Sequence, residues 1–583
     1  MHNSIGVPLR LCHLPLIMDV LRRSKVLEVI DRAVADDRRS KVSTSECVAV
    51  MLCSIFGGAH DLWRVRERLG RYDMPTVMQD RGFDITEFPE ERLAKALDDL
   101  WSAHVDKMMT AIALQTIEAY ALDTGFLHFD TTSLSFYGAY EREDPASLGE
   151  GIPAAPRVVH GYSKNKRGDL KQIMYGSLLT ADGGIPLAGR AMDGNRSDNE
   201  SSAEFFAEVR KLVADPREVC CVADSKGWCA RTVAVIQLHK MRLLSRLTRG
   251  TTLHRDVIAK PWSPSGRFEV KPDKKGDPPT VVEYQGFDDE QTFTREIAAE
   301  TADGKTTSET FTIPVRLVKI RSSDLLRTKV ATALRERSRE RKRASKLVSR
   351  AQAIFYACQP DAEMAAERLR HDHGLTVVDL TILVERHEVP FVRGRGRPPK
   401  HAPKPDPEIT IHYRLSITVT DVDPAVVATR LTDDATIILV RTANPGWTIT
   451  DEEMITRYKG QWRNEHGFAW LKSGMHLNPV FLKTPSRIGS LCFLYTLGLM
   501  LWNLIQRTVR KHLIEQQTGL PYHRGKPSNN ITTRFYLDLF AQVQTIPITE
   551  ANQPETKHLA GFTDTIALAC QALGTSRKAF EAG

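Results

Sequence analysis

Apolar residues recur at helical intervals through the first 120 residues of the chain. STSECVAVMLCSIFGG begins with a capping box, Ser43 with Glu46, and stops at the glycine pair that ends it. Farther along, RLAKALDDLWSAHVDKMM carries a core-facing stripe made of Leu93, Leu97, Leu100 and Met108. These patterns predict an all-helical N-terminal domain over residues 1–122.

A second helix is predicted in AHDLWRVRERL, directly after Gly57-Gly58. It carries Arg64, Arg66 and Arg68. Helix, glycine turn and basic helix is typical of a helix-turn-helix that reads DNA. An ordinary helical hairpin with exposed arginines explains the same pattern, so both interpretations stay open.

From Phe126 the period of the apolar residues changes to that of strands. FLHFDTTSLSF is followed by a hairpin, QIMYGSLLTADGGIPLAGRAMDGN, whose turn is Asp182-Gly183-Gly184. Next come a helix that begins at Ser197 and Asp198, the strand EVCCVAD, a helix over 232–240 and the strand MRLLSRLT. Strands, helix, strand, helix, strand is the order of a ribonuclease-H-like core. We therefore predict an α/β fold whose core begins at residues 123–249.

The last helix of such a core is predicted only near Asp451, after a long interval. Residues 250–449 hold strand candidates and a helix over 327–350 that is rich in Lys and Arg. They predict an inserted, mainly β domain with a basic helix. Such a basic run indicates either a solvated helix face or a contact with phosphates. Residues 450–515 then complete the core, and 516–583 are predicted to be a helical C-terminal region.

Residues 488–505 are apolar enough to suggest a membrane span. Ser490, Thr496 and Asn503 interrupt them and the stretch is barely long enough, so we predict a buried helix that covers the sheet. Nine cysteines without CxxC spacing argue against a zinc ribbon and a disulfide scaffold. The N-terminus lacks an export signal, so we expect a cytoplasmic protein with no membrane partner.

Three carboxylates stand out as candidates for metal chemistry. Asp130 and Asp224 each end an apolar strand, where divalent cations are commonly gathered. In YKGQWRNEHGFAWLK, helical geometry places Gln461, Glu465 and Lys472 within about 60° of Tyr458. A carboxylate beside a cation and a phenol suits a metal ion and a phosphate together, so the residues favour a metal-dependent nucleic-acid enzyme.

This arrangement resembles the DDE transposases of bacterial insertion sequences, of the insertion-sequence-four type, with the signature Tyr-x2-Arg-x3-Glu-x6-Lys. Tyr458, Glu465 and Lys472 match that signature, whereas Gln461 stands where the family usually has arginine and brings no charge. HGYSKNKRGDLKQ, ADSKGW and the residues after Glu465 are also similar to the family pattern. The resemblance covers roughly residues 120–515.

The resemblance implies a site that holds two Mg²⁺ or Mn²⁺ ions and cuts and joins DNA. Asp130 would bridge the ions, and Asp224 and Glu465 would each complete one metal site. Lys472 and Tyr458 would hold the scissile phosphate. A basic segment, Lys164, Lys166 and Arg167, is predicted to clamp the DNA backbone, although a solvated loop explains it almost as well.

Further DNA contacts are predicted outside this site. Arg395 and Arg397, in RGRP, resemble the core of an AT-hook that enters the minor groove, with a basic hinge as the alternative. Some members of the family flip a base onto a tryptophan. Trp447, Trp462 and Trp470 lie near the place for that role, although core packing explains each of them more simply.

The implied partners are double-stranded DNA, both the terminal inverted repeats of the element and the target, with a homodimer in the synaptic complex. The protein would be bacterial and nucleoid-associated when bound. A ribonuclease-H-like nuclease and a non-catalytic DNA-binding regulator remain alternatives. A haloacid-dehalogenase-like phosphotransferase is disfavoured because Thr132 stands where that class needs a second acid.

Overall fold

The computed structural model of the chain has a mixed α/β fold with a large mixed sheet. It describes residues 4–35, 40–58, 62–140, 151–164, 167–271, 278–298, 306–391, 408–460, 482–522, 525–549 and 555–581. Two compact units share these residues. The first contains 1–248, 288–316 and 440–583, and the second contains 249–287 and 317–439.

Helices dominate the N-terminal part of the first unit, as the apolar spacing predicts. The capping box is confirmed: Ser43 Oγ accepts from Glu46 N at 3.1 Å, and Ser43 N donates to Glu46 Oε2 at 2.6 Å. The helices are α1 (Leu14–Arg23), α2 (Val26–Ala33), α3 (Thr44–Phe56), α4 (Val65–Leu69), α5 (Met74–Met78), α6 (Glu90–Ser102) and α7 (Val105–Tyr120).

Two details differ from the helical prediction. The stripe through Leu93 and Met108 is confirmed as buried, but it belongs to two helices because His104 adopts a left-handed conformation between α6 and α7. Two short strands, β1 (Ser4–Ile5) and β2 (Leu9–Arg10), also precede α1, so this region is not all-helical.

The basic helix after the glycine pair is much shorter than its apolar pattern predicts. α4 has five residues, and Arg68 donates to Trp63 O at 2.6 Å and to Ser54 Oγ at 3.1 Å. Arg68 is therefore engaged in holding α4 against α3. This geometry favours the ordinary hairpin over a DNA-reading helix.

The sheet of the first unit begins with an antiparallel meander and continues with parallel strands. Its strands are β3 (Phe126–Phe136), β4 (Lys171–Thr180), β5 (Pro186–Met192), β6 (Cys220–Ala223) and β7 (Arg242–Arg246). Their spatial order is β5-β4-β3-β6-β7; β3 pairs antiparallel with β4 and parallel with β6. The predicted turn at Asp182-Gly183-Gly184 is confirmed, because it joins β4 to β5. The crossing helices are α8 (Asp198–Val209) and α9 (Ala230–Leu238).

Four further strands extend this sheet in the order β14, β10, β9, β8. They are β8 (Gly266–Val270), which belongs to the second unit, and β9 (Thr280–Ala298), β10 (Thr306–Ser322) and β14 (Ile437–Thr442), each of which has residues in both units. β14 leads to α14 (Asp451–Lys459), the helix predicted to return near Asp451.

A long apolar helix, Pro485–Glu515, packs inside the first unit. Tyr175 and Thr496 hydrogen-bond at 2.7 Å between β4 and this helix, and both are fully buried. Among the described helices it is the one long and apolar enough to cross a membrane by length and composition, yet most of its apolar window is buried in the protein. The predicted buried helix is therefore confirmed. This helix, Pro485–Glu515, is α15.

The C-terminal residues are not purely helical, contrary to the prediction. They form β15 (Leu520–Pro521), β16 (Pro527–Ser528), α16 (Thr533–Asp538), β17 (Gln544–Thr549), β18 (Thr556–Ala560) and α17 (Asp564–Leu573). β17 pairs antiparallel with β1, β2 and β18. β1 and β2 lie more than 500 residues from β17, so their pairing with it has no local sequence signal and the apolar pattern does not predict it.

The second unit combines a long hairpin with several helices. Its elements are α10 (Thr252–Ala259), β8 (Gly266–Val270), α11 (Ser323–Gln352), β11 (Phe355–Tyr356), α12 (Gln359–Asp372), β12 (Val378–Phe391), β13 (Glu408–Asp421) and α13 (Pro424–Ala435). β12 and β13 pair over fourteen residues. The predicted mainly β interval thus holds more helix than expected, chiefly because α12 lacks a continuous apolar stripe and buries only alanines among its residues.

Candidate active site on two parallel strands

The first two predicted carboxylates lie at the same level of neighbouring parallel strands. Phe126, Leu127 and His128 of β3 pair with Cys220, Cys221 and Val222 of β6, an offset of 94 residues. Asp130 and Asp224 are separated by the same 94 residues, so they continue this register at the carboxyl end of β6. Contrary to the prediction, Asp130 does not end its strand, because β3 continues to Phe136 in its pairing with β4. Because adjacent strands run about 4.8 Å apart, two residues in register can contribute to one site.

The two faces of β3 have different neighbours, which fixes the surroundings of Asp130. Phe129 packs on Phe205 and Phe206 of α8, with ring centroids 4.9 and 5.8 Å away. On the other face, the guanidinium of Arg457 lies 4.5 Å from the ring centroid of Phe126. Side chains alternate along a strand, so Asp130 shares the face of Phe126, which is the face that α14 covers.

Between Phe126 and Asp130, His128 opens onto a cleft. The imidazole belongs to a residue that is 1% exposed, and it lines a cleft of 870 Å³ together with Arg457, Arg507 and Lys511. Arg507 is held by Asp182 at 2.6 and 2.8 Å. The cleft is therefore polar and of mixed charge, because Asp182, Glu452 and Glu453 line it beside these cations.

Lys164 is the basic residue of the predicted clamp that reaches Asp130. Its Nζ lies 3.9 Å from Asp130 Oδ1 and donates to Thr131 O at 2.8 Å and Thr131 Oγ1 at 2.6 Å. Its backbone N–H donates to Ser133 Oγ at 3.1 Å. These bonds fix an ammonium group beside the carboxylate, where it can neutralise a bound phosphate.

Arg167 is less available to contact the DNA backbone than its place in the basic segment suggests. It forms a two-bond pair with Asp169, at 2.8 and 2.7 Å, and its guanidinium lies 5.8 Å from the ring centroid of Tyr137. The Asp169 carboxylate raises the pKa of Arg167 above its ordinary value. The solvated-loop alternative thus fits Arg167 better than it fits Lys164.

Asp224 caps the turn that follows β6. Its Oδ1 accepts from Lys226 N at 3.0 Å, and its carbonyl accepts from Ser245 Oγ of β7 at 2.6 Å. The Lys226 ammonium lies 5.6 Å from the ring centroid of Tyr162, which is 84% exposed. A cation and an exposed aromatic ring therefore lie near the second carboxylate, in the two sequence blocks that contain Lys164 and Asp224.

The position of α14 is set by an ion pair at its first turn. Arg316 of β10 donates to both carboxylate oxygens of Asp451, at 3.0 and 2.7 Å, and Thr450 Oγ1 caps the helix by accepting from Glu453 N. Asp451 and Asp288 raise the pKa of Arg316 further above its ordinary range. Tyr458 lies near the end of this helix, half-buried.

Several predicted site residues lie outside the described part of the chain. They are Glu465, Gln461, Lys472, Lys166, Arg395 and Arg397, together with Trp462 and Trp470. Trp447 is described, and Arg441 and Arg242 lie over its ring at 4.7 and 5.5 Å. Two cations on that ring support packing rather than base stacking for Trp447.

Comparison with known proteins adds little to this geometry. Residues 8–114 match a domain of unknown function, DUF4277. No curated protein matches the chain. Among solved structures, the chain is similar to one described as a cryo-EM structure of piggyBac transposase synaptic complex with hairpin DNA. The TM-score is 0.24 at 10% identity, over 53% of this chain and 63% of that one, so function must be argued from the residues themselves.

The residues present fit a divalent-cation site in part. Asp130 is 21% exposed at its side chain, so its carboxylate is accessible to a ligand, and carboxylate oxygens are what Mg²⁺ prefers. Within the described residues, no group of three His, Cys, Asp or Glu side chains is assembled that could hold a metal ion. The described residues therefore offer two carboxylates, those of Asp130 and Asp224, to such a site.

Lys226 and Tyr162 are the site-lining residues that sequence reasoning passed over. Their blocks, ADSKGW and HGYSKNKRGDLKQ, stood out by resemblance, but neither residue ends a strand or falls in the signature. Their proximity depends on tertiary folding, which a single sequence does not display.

Proposed function

We propose that this chain is a DNA transposase that binds the ends of its own mobile element and cuts and joins DNA with bound Mg²⁺ or Mn²⁺. The observation that carries the proposal is the shared register of Asp130, inside β3, and Asp224, directly after β6, on neighbouring parallel strands. Two carboxylates in that position, with the Lys164 ammonium beside one of them, suit phosphodiester chemistry.

The core would be ribonuclease-H-like. Support comes from the chain order of the elements, in which β3, β4 and β5 precede α8, β6, α9 and β7. The helix α14 lies on the face of β3 that carries Asp130, as a third carboxylate from the 458–472 segment requires. The signature resemblance assigns that carboxylate to Glu465.

The roles of the side chains follow from their chemistry. Bound metal ions would activate the attacking oxygen and stabilise the leaving oxygen. Asp130, Asp224 and Glu465 would hold those ions, while Lys164 and Lys472 would neutralise the phosphate on which the attack takes place. Tyr458 and Gln461 would donate hydrogen bonds to its neighbours. The protein would thus supply position and charge rather than a covalent nucleophile.

Duplex DNA would be the partner, both the terminal inverted repeats and the target, and the synaptic complex would contain two copies of the chain. The protein would act in the bacterial cytoplasm on the nucleoid. A regulator without catalytic activity would bind the same DNA, so DNA binding alone does not distinguish a transposase from a regulator. Cleavage of DNA does distinguish them.

The test is Mg²⁺-dependent nicking of a labelled duplex that carries the element end. We expect Asp130→Asn and Asp224→Asn to lower the nicking rate by at least about a thousandfold, equivalent to about 4 kcal/mol of barrier, while DNA binding persists. Asp256→Asn, on an exposed helix position, is the matched control. Equal nicking by wild type and Asp224→Asn would overturn the metal-site assignment, and no nicking by wild type would favour the regulator.

A further inference from the structure

The Lys and Arg residues of α11 divide into two sets with different surroundings. Arg337 and Arg341 both pair with Asp421 at the end of β13, the latter at 2.8 Å. Arg343 donates to Gly374 O at 3.4 Å. These arginines connect α11 to the rest of the second unit, so they serve its fold.

The second set forms a stripe along one side of the helix, turned away from Arg337 and Arg341. With Arg335 as origin, helical geometry places its members within about 80° of one another. All five side chains are exposed. We call this set the basic stripe; it consists of Arg335, Arg339, Lys342, Lys346 and Arg350.

The buried face of α11 lies across the helix from the basic stripe. Glu340 is 3% exposed and Ala344 is fully buried. Helical geometry places these two residues about 140° and 180° from Arg335. Ala344 belongs to the hydrophobic core of the second unit with Leu380 and Leu415. The fold of the unit therefore determines which side of α11 faces solvent.

Few acidic groups offset the charge of the basic stripe. Arg339 pairs with Glu336 at 2.9 Å, and Arg335 donates to the carbonyl of Ala331. In the described part of the chain, no carboxylate pairs with Lys342, Lys346 or Arg350. Cations that stay unneutralised in the folded unit attract a polyanion.

We propose that the basic stripe docks on the phosphate backbone of duplex DNA, independently of base sequence. From Arg335 to Arg350 the helix advances about 22 Å. At about 3.4 Å per phosphate on one strand, that length covers about six base pairs. The choice of duplex DNA rests on the proposed function, whereas the attraction to closely spaced phosphates follows from the charge of the helix itself. Contacts to phosphate oxygens carry no sequence information, so a stripe that binds the backbone positions DNA rather than selecting it.

The experiment compares two triple variants that remove the same charge from the full chain. Lys342→Gln/Lys346→Gln/Arg350→Gln alters the basic stripe, and glutamine keeps helix propensity. Arg255→Gln/Arg267→Gln/Lys271→Gln alters exposed cations elsewhere in the second unit. Affinity for a duplex of roughly 30 base pairs is measured against salt concentration, with EDTA present so that no DNA is cut. Circular dichroism melting checks that both variants fold.

We expect the stripe variant to bind about 10- to 100-fold more weakly, with a salt slope smaller by about 2 to 3, for element ends and unrelated duplexes alike. The control variant should bind like wild type. Unchanged affinity and slope in the stripe variant would overturn the inference. So would unchanged DNA binding combined with lost binding to vesicles of phosphatidylcholine and phosphatidylserine in equal parts, because the stripe would then serve a membrane surface.

The two proposals fail separately in these measurements. If wild type does not nick DNA but the stripe variant loses duplex affinity, the basic stripe stands and the transposase proposal falls. If wild type nicks DNA and the stripe variant binds normally, only the basic stripe is refuted.

Discussion

The hydroxyl groups of Tyr175 and Thr496 lie 2.7 Å apart, and they join β4, the neighbour of the edge strand β5, to the buried helix α15. Burial raises the pKa of Tyr175 above its ordinary range, so the phenol stays protonated. Beside this pair, β5 passes α15 at Gly189. A Cβ added there would lie 2.5 Å from Thr496 Oγ1 and from the Tyr175 hydroxyl. Glycine thus permits the close approach of helix and sheet.

We predict that Gly189→Ala destabilises the first unit by about 1–3 kcal/mol, because the added methyl forces helix and strand apart. The thermal midpoint of unfolding measures the effect. Gly168→Ala is the matched control, since a Cβ there meets nothing within 4 Å. Equal midpoints for the two variants would contradict the close approach.

Asp73 connects the helical N-terminal part to the C-terminal strands. Its carboxylate is fully buried and accepts from Lys557 Nζ at 2.7 Å, Thr545 Oγ1 at 2.8 Å and Thr76 Oγ1 at 2.8 Å. We expect Lys557→Met to lower the free energy of unfolding by about 3–5 kcal/mol, because it leaves a buried carboxylate without its cation.

Hydrogen exchange of the amides in β17 and β18 reports that loss directly. Exchange should accelerate in Lys557→Met. Lys578→Met, a basic residue on the C-terminal 3-10 turn, serves as control and should leave exchange unchanged. Protection that survives in Lys557→Met would show that the pair does not hold these strands.

The same carboxylate predicts a dependence of stability on pH. Burial opposes ionisation of Asp73, but hydrogen bonds from Lys557, Thr545 and Thr76 outweigh it and lower the pKa below 3.8. A depressed pKa contributes stability above the unfolded value, and that contribution is lost as the pH falls through the folded value. The difference in melting midpoint between wild type and Asp73→Asn should therefore be constant above about pH 5 and shrink below pH 3.8. If the difference in melting midpoint grew as the pH fell, the pKa of Asp73 would be raised by the fold instead of lowered.

Glu340 holds the start of β12 from within the basic helix. It accepts from Thr376 N and Val377 N at 2.8 Å and from Thr376 Oγ1 at 2.6 Å. Burial opposes its ionisation, but these bonds lower its pKa. We predict that Glu340→Gln costs about 1.5–3 kcal/mol, because an amide cannot accept all of these bonds.

Limited proteolysis between α12 and β12 reads out the Glu340 substitution. Cleavage there should be faster than in wild type, whereas Glu336→Gln, one turn away and half-buried, should be cleaved at the wild-type rate. If both variants resist protease equally, Glu340 does not hold this segment.

Lys164 tests the chemistry of the candidate site. We expect Lys164→Met to lower the nicking rate about 10- to 100-fold, the equivalent of one lost charge-assisted hydrogen bond to phosphate, with little change in DNA affinity. Lys164→Arg should recover part of the rate. The control Lys211→Met removes an exposed cation paired with Glu208. A loss of affinity without a loss of rate would make Lys164 a backbone contact instead.

The sequence predicts those parts of the molecule in which local signals agree. The capping box at Ser43, the hairpin turn at Asp182 and the helix at Asp198 each combine a period with its own stop or start residue. Asp130 and Asp224 are recognisable in the sequence because each ends an apolar run, FLHFD and EVCCVAD. Their common register is visible only in the fold, although the equal offset of 94 residues is already present in the sequence.

Non-local pairing accounts for what the sequence did not reveal. β12 and β13 pair across a connection of sixteen residues, 392–407, and β17 pairs with residues near the other end of the chain. The contact of Lys226 with Tyr162 likewise joins residues that are 64 positions apart in the sequence. Such contacts depend on the packing of whole elements, so no window along the sequence contains them.

The pairing of β17 with β1 and β2 also bears on synthesis. Thr545 reaches Asp73 across 472 residues, so at about 5–20 residues per second the ribosome needs roughly half a minute to a minute and a half to deliver the partner. Until then the buried carboxylate has no cation and the first strands have no neighbour. Chaperone demand should therefore be greatest late in translation, and prematurely terminated chains should be cleared by proteases.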